Sequence, residues 1–434
     1  MKTNVYCNGC NLGKWVCINK LLLGLALWAL VFAIGCKQSN VEGNNTSSEY
    51  KITIKGDERV KVADPGYIEV PAATSKTFGA VKTEIMAKVS LNDGWSSEDY
   101  EFYDWRKDGE EGEELTDSSS ITGDIVVYAR TNYKRFKVEG TILEGYEGGI
   151  PRGRIFLPKE ITETKDGANH DHGAFIACED LTAVDLTPCI NLTRIGNCTF
   201  RKCKKIASVK LNACTELVSI GDYAFDVCES LESVDLSSCT KLEQIGKYSL
   251  CHCDKLKNLN LTGLTKLTSI GEGAFDENGE LESIDLSSCT KLTNIPKYMF
   301  YCDEKLKTVN LSGLGSDITS IGESAFSECK SLESIDLSSF TELEKLNHYA
   351  FFACQTLKSI DLSKCTKLTT IQESVFSGAT SAKVKLPASI TEIESGTFGS
   401  YDDVYCEKVL VPNDEIKTKV KEAGYPEERI EVYN

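Results

Sequence analysis

The chain has 434 residues, of which 41% are hydrophobic and 26% charged, with only 9 prolines. That composition is typical of an ordered protein, and the length excludes one compact domain unless the domain is elongated. The net charge of -17 excludes the basic face that nucleic-acid binding requires, and it disfavours adsorption to anionic lipid headgroups. The sequence therefore predicts an acidic, soluble protein.

The first 35 residues have the pattern of an export signal. Three lysines precede an uncharged apolar run of 15 residues, 21–35, which is shorter than the roughly 20 residues that span a bilayer. The run ends in "AIGC", which resembles the lipobox of bacterial lipoprotein signal peptides. That resemblance implies cleavage before Cys36, its lipidation, and a lipid anchor in the bacterial (outer) membrane; a secretory signal with an incidental cysteine is the alternative. Residues 36–49 are polar and predict a flexible tether.

Residues 50–140 predict a small β-rich domain. "YKITIKG" and "DIVVYARTNYKRFKV" are strand-like, and 74–89 predict a helix that places three apolar residues on one side, Val81, Ile85 and Val89. The segment from "YEFYDW" to "DIVVYAR" resembles the β-grasp-like repeats of bacterial surface proteins. Its aromatic residues favour core packing over a ligand-binding patch, and they are Tyr100, Phe102 and Trp105.

The next region repeats itself every 25 residues. "LESVDLSSCTKL" begins at Leu231, and "LESIDLSSCTKL" begins at Leu281. Strand-like cores begin at Leu181, Ile206, Leu231, Leu256, Leu281, Leu306, Leu332 and Leu357. A second landmark, "IG..AF", ends at Phe225, Phe275 and Phe326, with degenerate copies between them. A period of this length indicates a solenoid of stacked coils.

The pattern Leu-x-x-Val-x-Leu-x-x-Cys-x-x-Leu, as at 231–242, resembles a leucine-rich repeat, and Ile-Gly-x-x-Ala-Phe is specific to the BspA-like branch of that family. The resemblance covers 151–406. Ten Phe-type landmarks predict a solenoid of about ten coils with a parallel sheet, roughly 50 Å long at the usual strand spacing. Residues 407–434 predict a strand–helix–strand cap, with Asn413 at the start of the helix.

Charges alternate along the strands with a two-coil period. The position after the first Leu reads Glu232, Lys257, Glu282, Lys307, Glu333 and Lys358, which predicts attraction between stacked coils. The outward position between Val and Leu is mostly acidic. The exposed strand face is the predicted binding surface, with Asp185, Lys210, Asp235, Lys257, Asp285, Lys307, Asp336 and Asp361 as candidate residues.

Nineteen cysteines raise the question of redox or metal chemistry. Most lie on two repeat tracks that also accept Leu264, Leu314, Phe340 and Ala379, which favours buried free thiols over disulfide ladders. Two short stretches carry possible metal ligands, His170, Asp171 and His172 in one and Cys251, His252 and Cys253 in the other. Neither supplies a complete set at a recognised spacing, and neighbours on a strand face opposite ways, so no metal or cofactor is predicted.

No catalytic motif such as G-x-S-x-G, H-E-x-x-H or a P-loop is present in the sequence, so a non-enzymatic protein is predicted. The BspA-like resemblance implies a cell-surface protein that binds host matrix proteins or other bacteria. Two alternatives stay open. One is a structural spacer or scaffold of the cell envelope without a specific partner, and the other is a hydrolase within 50–150.

Overall fold

The computed structural model describes residues 49–71, 76–168, 172–315, 317–399 and 404–433. The predicted export signal, Cys36 and nearly all of the tether lie outside the described residues, as do His170 and Asp171. Within the described ranges, no helix has the length and apolar character needed to cross a membrane.

An N-terminal domain is built from eight strands and one helix, α1 (Phe78–Met86). The strands are β1 (Glu49–Gly56), β2 (Val60–Val62), β3 (Tyr67–Pro71), β4 (Lys76–Thr77), β5 (Val89–Leu91), β6 (Tyr100–Lys107), β7 (Ser120–Ile121) and β8 (Ile125–Tyr133). The main sheet has the order β3-β1-β8-β6, in which β1 and β8 are parallel and the outer pairs are antiparallel. The sheet is therefore mixed, with one helix packed on it, and the β-grasp-like assignment stays a prediction.

The core of this domain lies between the sheet and α1. Val81 and Ile85 are buried as predicted, whereas Val89 belongs to β5, so the helix is shorter than 74–89. Trp105 is 5% exposed in this core and Phe102 packs partly buried against it, whereas Tyr100, 3% exposed, belongs to the core of the repeat region. The aromatic residues are therefore core residues, as the sequence favours.

The repeat region is a solenoid with two parallel ladders. The first comprises β11 (Gly153–Phe156), β13 (Leu181–Asp185), β15 (Ser208–Lys210), β17 (Ser233–Asp235), β19 (Asn258–Asn260), β21 (Ser283–Asp285), β22 (Thr308–Asn310), β25 (Ser359–Asp361) and β27 (Lys383–Lys385). The second comprises β12 (Glu163–Thr164), β14 (Arg194–Ile195), β16 (Ser219–Ile220), β18 (Gln244–Ile245), β20 (Ser269–Ile270), β23 (Ser320–Ile321), β24 (Lys345–Leu346), β26 (Thr370–Ile371) and β28 (Glu392–Ile393). Each ladder has nine strands and one isolated β-bridge residue, Ser334 in the first ladder and Ile295 in the second. Each ladder therefore has ten positions, which agrees with the ten predicted coils.

Both ends of the solenoid are capped. At the N-terminal end the hairpin of β9 (Phe136–Glu139) and β10 (Ile142–Tyr146) adds an eleventh turn to the second ladder. The strand-like segment "DIVVYARTNYKRFKV" forms two strands, β8 and β9, and the second of them belongs to the solenoid. At the other end, β29 (Lys408–Val411), α2 (Asp414–Glu422), a 3₁₀ turn (Glu427–Arg429) and β30 (Ile430–Val432) extend the first ladder. Asn413 caps α2 as predicted, because its Oδ1 accepts from the N–H of Ile416 at 2.9 Å.

A column of stacked rings forms the core of the solenoid. Phe175 and Phe200 stack with centroids 5.3 Å apart, and Phe326 and Phe351 do so at 5.2 Å. Leu250 occupies one position in this column, so no phenyl ring stacks at that level.

The glycine of the "IG..AF" landmark allows neighbouring coils to approach closely, since a Cβ on Gly246 would lie 2.4 Å from the backbone of the preceding coil.

The fifteen cysteines of the described residues are free, and all but Cys302 are buried. On one of the two cysteine tracks, five thiols donate to a carbonyl of the preceding coil: Cys203 to Phe175 O at 3.0 Å and Cys354 to Phe326 O at 3.1 Å, with the same bond at Cys228, Cys253 and Cys329. Burial raises the pKa of Cys214 and of Cys239 to about 12. The burial of these cysteines agrees with the apolar core positions expected from the repeat, and free thiols rather than disulfide ladders stay a prediction.

Candidate binding face and a polar cluster

The first ladder presents a continuous exposed face along the solenoid. On each strand the Val and Leu point inward, and the residue between them points to solvent; Val234 and Leu236 are buried while Asp235 is exposed. The predicted binding residues that lie exposed on this face are Asp235, Lys257, Asp285, Lys307, Asp336 and Asp361.

The acidic residues of this face also build the turns. Asp235 Oδ1 accepts the N–H of Ser237 at 3.0 Å, and Asp285 Oδ1 accepts that of Ser287 at 2.8 Å. The same bond from the N–H and hydroxyl of Ser338 lowers the pKa of Asp336. Each aspartate therefore closes the turn after its strand, a role that asparagine can also fill. Two coils use asparagine in this way, at Asn260 and Asn310.

Charges pair between neighbouring coils as the sequence predicts. Lys307 Nζ lies 2.8 Å from Glu282 Oε2, and Lys358 Nζ lies 2.7 Å from Glu333 Oε2. Similar pairs off this face join Lys205 with Asp180, Lys241 with Glu216, and Lys305 with Glu280. Exposed pairs of this kind stabilise a fold by no more than about 1 kcal/mol each, so their main effect is to order the surface charges.

Two predicted binding residues are covered by the N-terminal domain. Asp185 is only 3% exposed, and Lys210 Nζ pairs with Glu111 Oε1 at 2.6 Å. With Arg130 they line a groove of about 500 Å³ at the junction. The expectation of an exposed Asp185 is wrong, because the loop after β6 folds over the first coils. The open face therefore begins near Asp235.

The junction itself is polar and tightly fitted. Asn132 forms two hydrogen bonds with the backbone of Phe156, with its Nδ2 donating at 2.7 Å and its Oδ1 accepting at 2.8 Å. Tyr103 stacks on the Phe156 ring at 4.7 Å between centroids. These contacts join β8 and β6 to the first solenoid strand, β11. Asn132 and Tyr103 lie outside the repeat, so periodicity gave no signal for their contacts with Phe156.

A second polar cluster surrounds His252 on the limb that carries the Phe landmarks. Cys251 Sγ lies 2.7 Å from His252 Nδ1, so the expectation that these neighbours face opposite ways is wrong; they lie in a turn, where His252 has φ 53°. A hydrogen bond with Asp226 raises the pKa of His252. Burial raises the pKa of the neighbouring carboxyl Asp276 to about 7. Cys253 points into the core instead, where its thiol donates to Phe225 O at 3.4 Å.

The fold and the repeat together define a leucine-rich repeat solenoid. The family described as "BspA type Leucine rich repeat region" matches in 6 copies over 169–307, 219–342 and 268–406, which together span more than half of the chain. This chain belongs to the BspA-type leucine-rich repeat family. The resemblance seen in the sequence is thereby confirmed. A search of curated proteins gives no significant match.

Several solved leucine-rich repeat structures are similar to this chain. The T. pallidum leucine rich repeat protein is 26% identical over 44% of this chain and 82% of its own, with a TM-score of 0.36. A leucine-rich repeat protein from Bacteroides ovatus is 17% identical over 70% of this chain and 98% of its own, with a TM-score of 0.34. A leucine rich cell surface protein from Faecalibacterium prausnitzii is 17% identical over 65% and 90%, with a TM-score of 0.33.

Proposed function

We propose that this protein is a non-enzymatic, lipid-anchored bacterial surface protein whose open strand face binds other proteins, including host matrix proteins or surface proteins of other bacteria. The observation that carries the proposal is the exposed face from Asp235 to Asp361, where charged side chains stand at fixed spacing on a rigid sheet. Membership of the BspA-type family supports it, and so does the cell-surface description of the similar F. prausnitzii protein. Fixed charges of this kind favour rapid encounter and selection between partners.

The spacer alternative draws support from the ion pairs between coils. Lys307 and Lys358 are each engaged by a glutamate of the neighbouring coil, so part of the surface charge stabilises the stack itself. Asp235, Asp285 and Asp336 differ, because these exposed aspartates each close the turn after their own strand through Oδ1. Neutralising the aspartates therefore separates binding from folding.

We expect the triple variant Asp235→Asn, Asp285→Asn and Asp336→Asn to lose partner binding while it keeps its fold. Asparagine retains the turn-closing oxygen, so each change should alter stability by less than about 0.5 kcal/mol. Binding should weaken at least tenfold at low salt and by a smaller factor at physiological salt, where the screening length is about 8 Å. The measurement is surface-based binding against a panel of host matrix and bacterial surface proteins, with a melting curve of each variant.

The matched control neutralises three exposed acids outside this face, Asp254→Asn, Asp317→Asn and Glu373→Gln. This control has the same net charge as the test variant, so an effect of total charge would appear in both. Equal binding by the test variant and the wild type at both salts would place the contact surface elsewhere. A wild type that captures nothing from the panel would favour the spacer.

The anchor is tested separately in cells. Cys36→Ala should abolish incorporation of labelled fatty acid and release the protein from the membrane fraction, because the thiol is the only attachment point that a lipobox provides. Cys406→Ala removes a buried thiol far from the signal and serves as the control. Membrane retention of the Cys36 variant would contradict lipidation at this residue.

A further inference from the structure

Three successive coils place potential metal ligands at one repeat position. Asp226, Cys251 and Asp276 each follow the landmark residue of their coil, and the coils are joined there by hydrogen bonds such as that from His252 N to Asp276 O at 3.0 Å. Ligand atoms of Asp226, Cys251 and His252 all lie within 4.8 Å of one another. The solenoid thus gathers residues that are 25 positions apart in the sequence.

The contacts around His252 orient these atoms toward each other. His252 Nδ1 lies 2.7 Å from Cys251 Sγ and 3.5 Å from Asp226 Oδ1, while its Nε2 lies 3.2 Å from Glu277 Oε2. The other oxygen of Asp226, Oδ2, accepts from Arg201 Nε at 2.7 Å. Arg201 therefore fixes the carboxylate so that Oδ1 is left facing the imidazole.

A second observation comes from buried polar atoms. Asp276 is 7% exposed, and its Oδ1 has no hydrogen-bond partner among the described residues. Ser249, two residues before Cys251, also has a buried hydroxyl oxygen without a partner in that part of the chain. An unpartnered buried carboxylate oxygen is costly unless a cation or a donor satisfies it.

The coil that carries the cluster also departs from the repeat. Leu250 and Ser249 replace the Ala-Phe landmark found at Ala224-Phe225 and Ala274-Phe275, so the phenyl column is broken at this level. A local violation of a pattern that the neighbouring coils keep is typical of a functional position. The break coincides with the only coil that supplies a histidine next to a cysteine in the described repeat.

We propose that Asp226, Cys251 and His252 bind a divalent transition-metal ion of the zinc type, with the buried carboxyl of Asp276 on the neighbouring coil. A thiolate and an imidazole select such ions over calcium or magnesium, which prefer oxygen ligands alone. The ligands Asp226 and Cys251 are buried, whereas the His252 side chain is 44% exposed, so an ion enters from the histidine side. Zinc bonds to sulfur and nitrogen of about 2.3 Å and 2.0 Å set these two atoms roughly 3.5 Å apart, so the imidazole must turn outward on binding.

Cysteine, histidine and Glu277 also have the connectivity of a nucleophile with its base. The thiol of Cys251 is 1% exposed, however, and burial together with Asp276 raises its pKa. A buried, protonated thiol is a poor nucleophile. Metal binding fits the burial better, and an ion held by Asp226, Cys251 and His252 would tie two successive coils together where the phenyl column is interrupted.

The test uses the full chain, reduced and freed of metal by a chelator, and titrated with Co²⁺ as a spectroscopic probe for zinc. We expect one Co²⁺ per chain, a thiolate-to-cobalt charge-transfer band, and displacement by Zn²⁺. His252→Val copies Val227 at the same position of the preceding coil, with φ 60° in place of 53°, so it should fold normally. This variant should bind at least tenfold more weakly, and Cys251→Ser should lose the band.

His348→Ala is the matched control, because His348 is 38% exposed and lies 3.8 Å from Glu394 without a cysteine beside it. It should bind Co²⁺ as the wild type does. Absence of stoichiometric binding by the wild type would overturn the proposal. A band of undiminished strength in both His252→Val and Cys251→Ser would also overturn it, since other thiols would then be the ligands.

Discussion

Replacing Arg59 with methionine is expected to destabilise the junction between the N-terminal domain and the solenoid by about 3–5 kcal/mol. The Arg59 guanidinium is 1% exposed and donates to Thr131 O at 3.0 Å, to Arg152 O at 3.1 Å and to Arg154 O. It also lies over the ring of Trp95, 4.9 Å from the centroid. Methionine fills similar volume but leaves three buried carbonyls without donors, which is the costly outcome.

The carbonyl groups that Arg59 binds belong to both the N-terminal domain and the solenoid. When these hydrogen bonds are lost, we expect the two regions to unfold in separate transitions. Calorimetry of Arg59→Met should show an early transition of the N-terminal domain, whereas the wild type should unfold these regions together. Arg59→Lys keeps the charge but not the forked donor geometry, so it should fall between the two. Arg194→Met, which breaks an exposed pair with Asp166 at 2.6 Å, should change stability by less than about 1 kcal/mol. Equal effects of the two methionine variants would contradict the role of Arg59.

The opposite result, a stabilised protein, is expected for Asp303→Asn. Asp303 lies on the buried cysteine track; its Oδ1 accepts the N–H of Asn278 at 2.7 Å, and its Oδ2 has no partner among the described residues. Asn278 occupies the same position one coil earlier and leaves no side-chain amide hydrogen unused, because its Nδ2 donates to Leu250 O at 2.9 Å and to Phe275 O at 2.7 Å. Asparagine at 303 keeps the accepting oxygen and adds a donor, and the gain should be roughly 1–3 kcal/mol at pH 8.

The gain should depend on pH, because burial raises the pKa of Asp303 well above its usual range. In the unfolded chain this carboxyl ionises near pH 4, whereas in the folded chain it keeps its proton to higher pH. The wild type therefore loses stability as pH rises from about 4, and asparagine, which does not titrate, escapes that loss. The difference between variant and wild type should be small at pH 4 and largest at pH 8.

The measurement is urea unfolding of both proteins at several pH values with a chelator present, so that metal binding does not contribute. Asp254→Asn removes the same charge from an exposed position and is the control for net charge. A difference between Asp303→Asn and the wild type that stays constant across pH would contradict a buried, proton-holding carboxyl.

Most of the solenoid could be predicted from the sequence because each coil repeats the same inward positions. Val234 and Leu236 on the strand and Phe225 on the return limb recur every 25 residues, and that period fixes the coil count and the parallel register. The glutamate–lysine alternation likewise predicted the pairs at Lys307 and Lys358. Short-range patterns sufficed because each coil packs only on its neighbours.

The docking of the N-terminal domain could not be predicted, because the residues that make it, Arg59, Asn132 and Glu111, lie outside the repeat. They have no equivalent positions 25 residues away in the sequence. The covered state of Asp185 depends on that docking. The cluster at His252 could not be predicted from sequence neighbours alone, because Asp226 and Cys251 become neighbours only at a spacing of 25 residues. The signal lay in Asp226, Cys251 and Asp276 taken together with the missing phenylalanine at Leu250.

The two parallel ladders have a mechanical consequence. Their hydrogen bonds join coils along the long axis, with a break in both ladders after β19 and β20, so a pull between the N-terminal domain and the C-terminal cap loads the contacts between coils in series. Under such tension the coils should unfold one after another rather than all together. Each coil of 25 residues would release about 85 Å of chain, so the protein would lengthen under load and take up mechanical energy as its coils unfold.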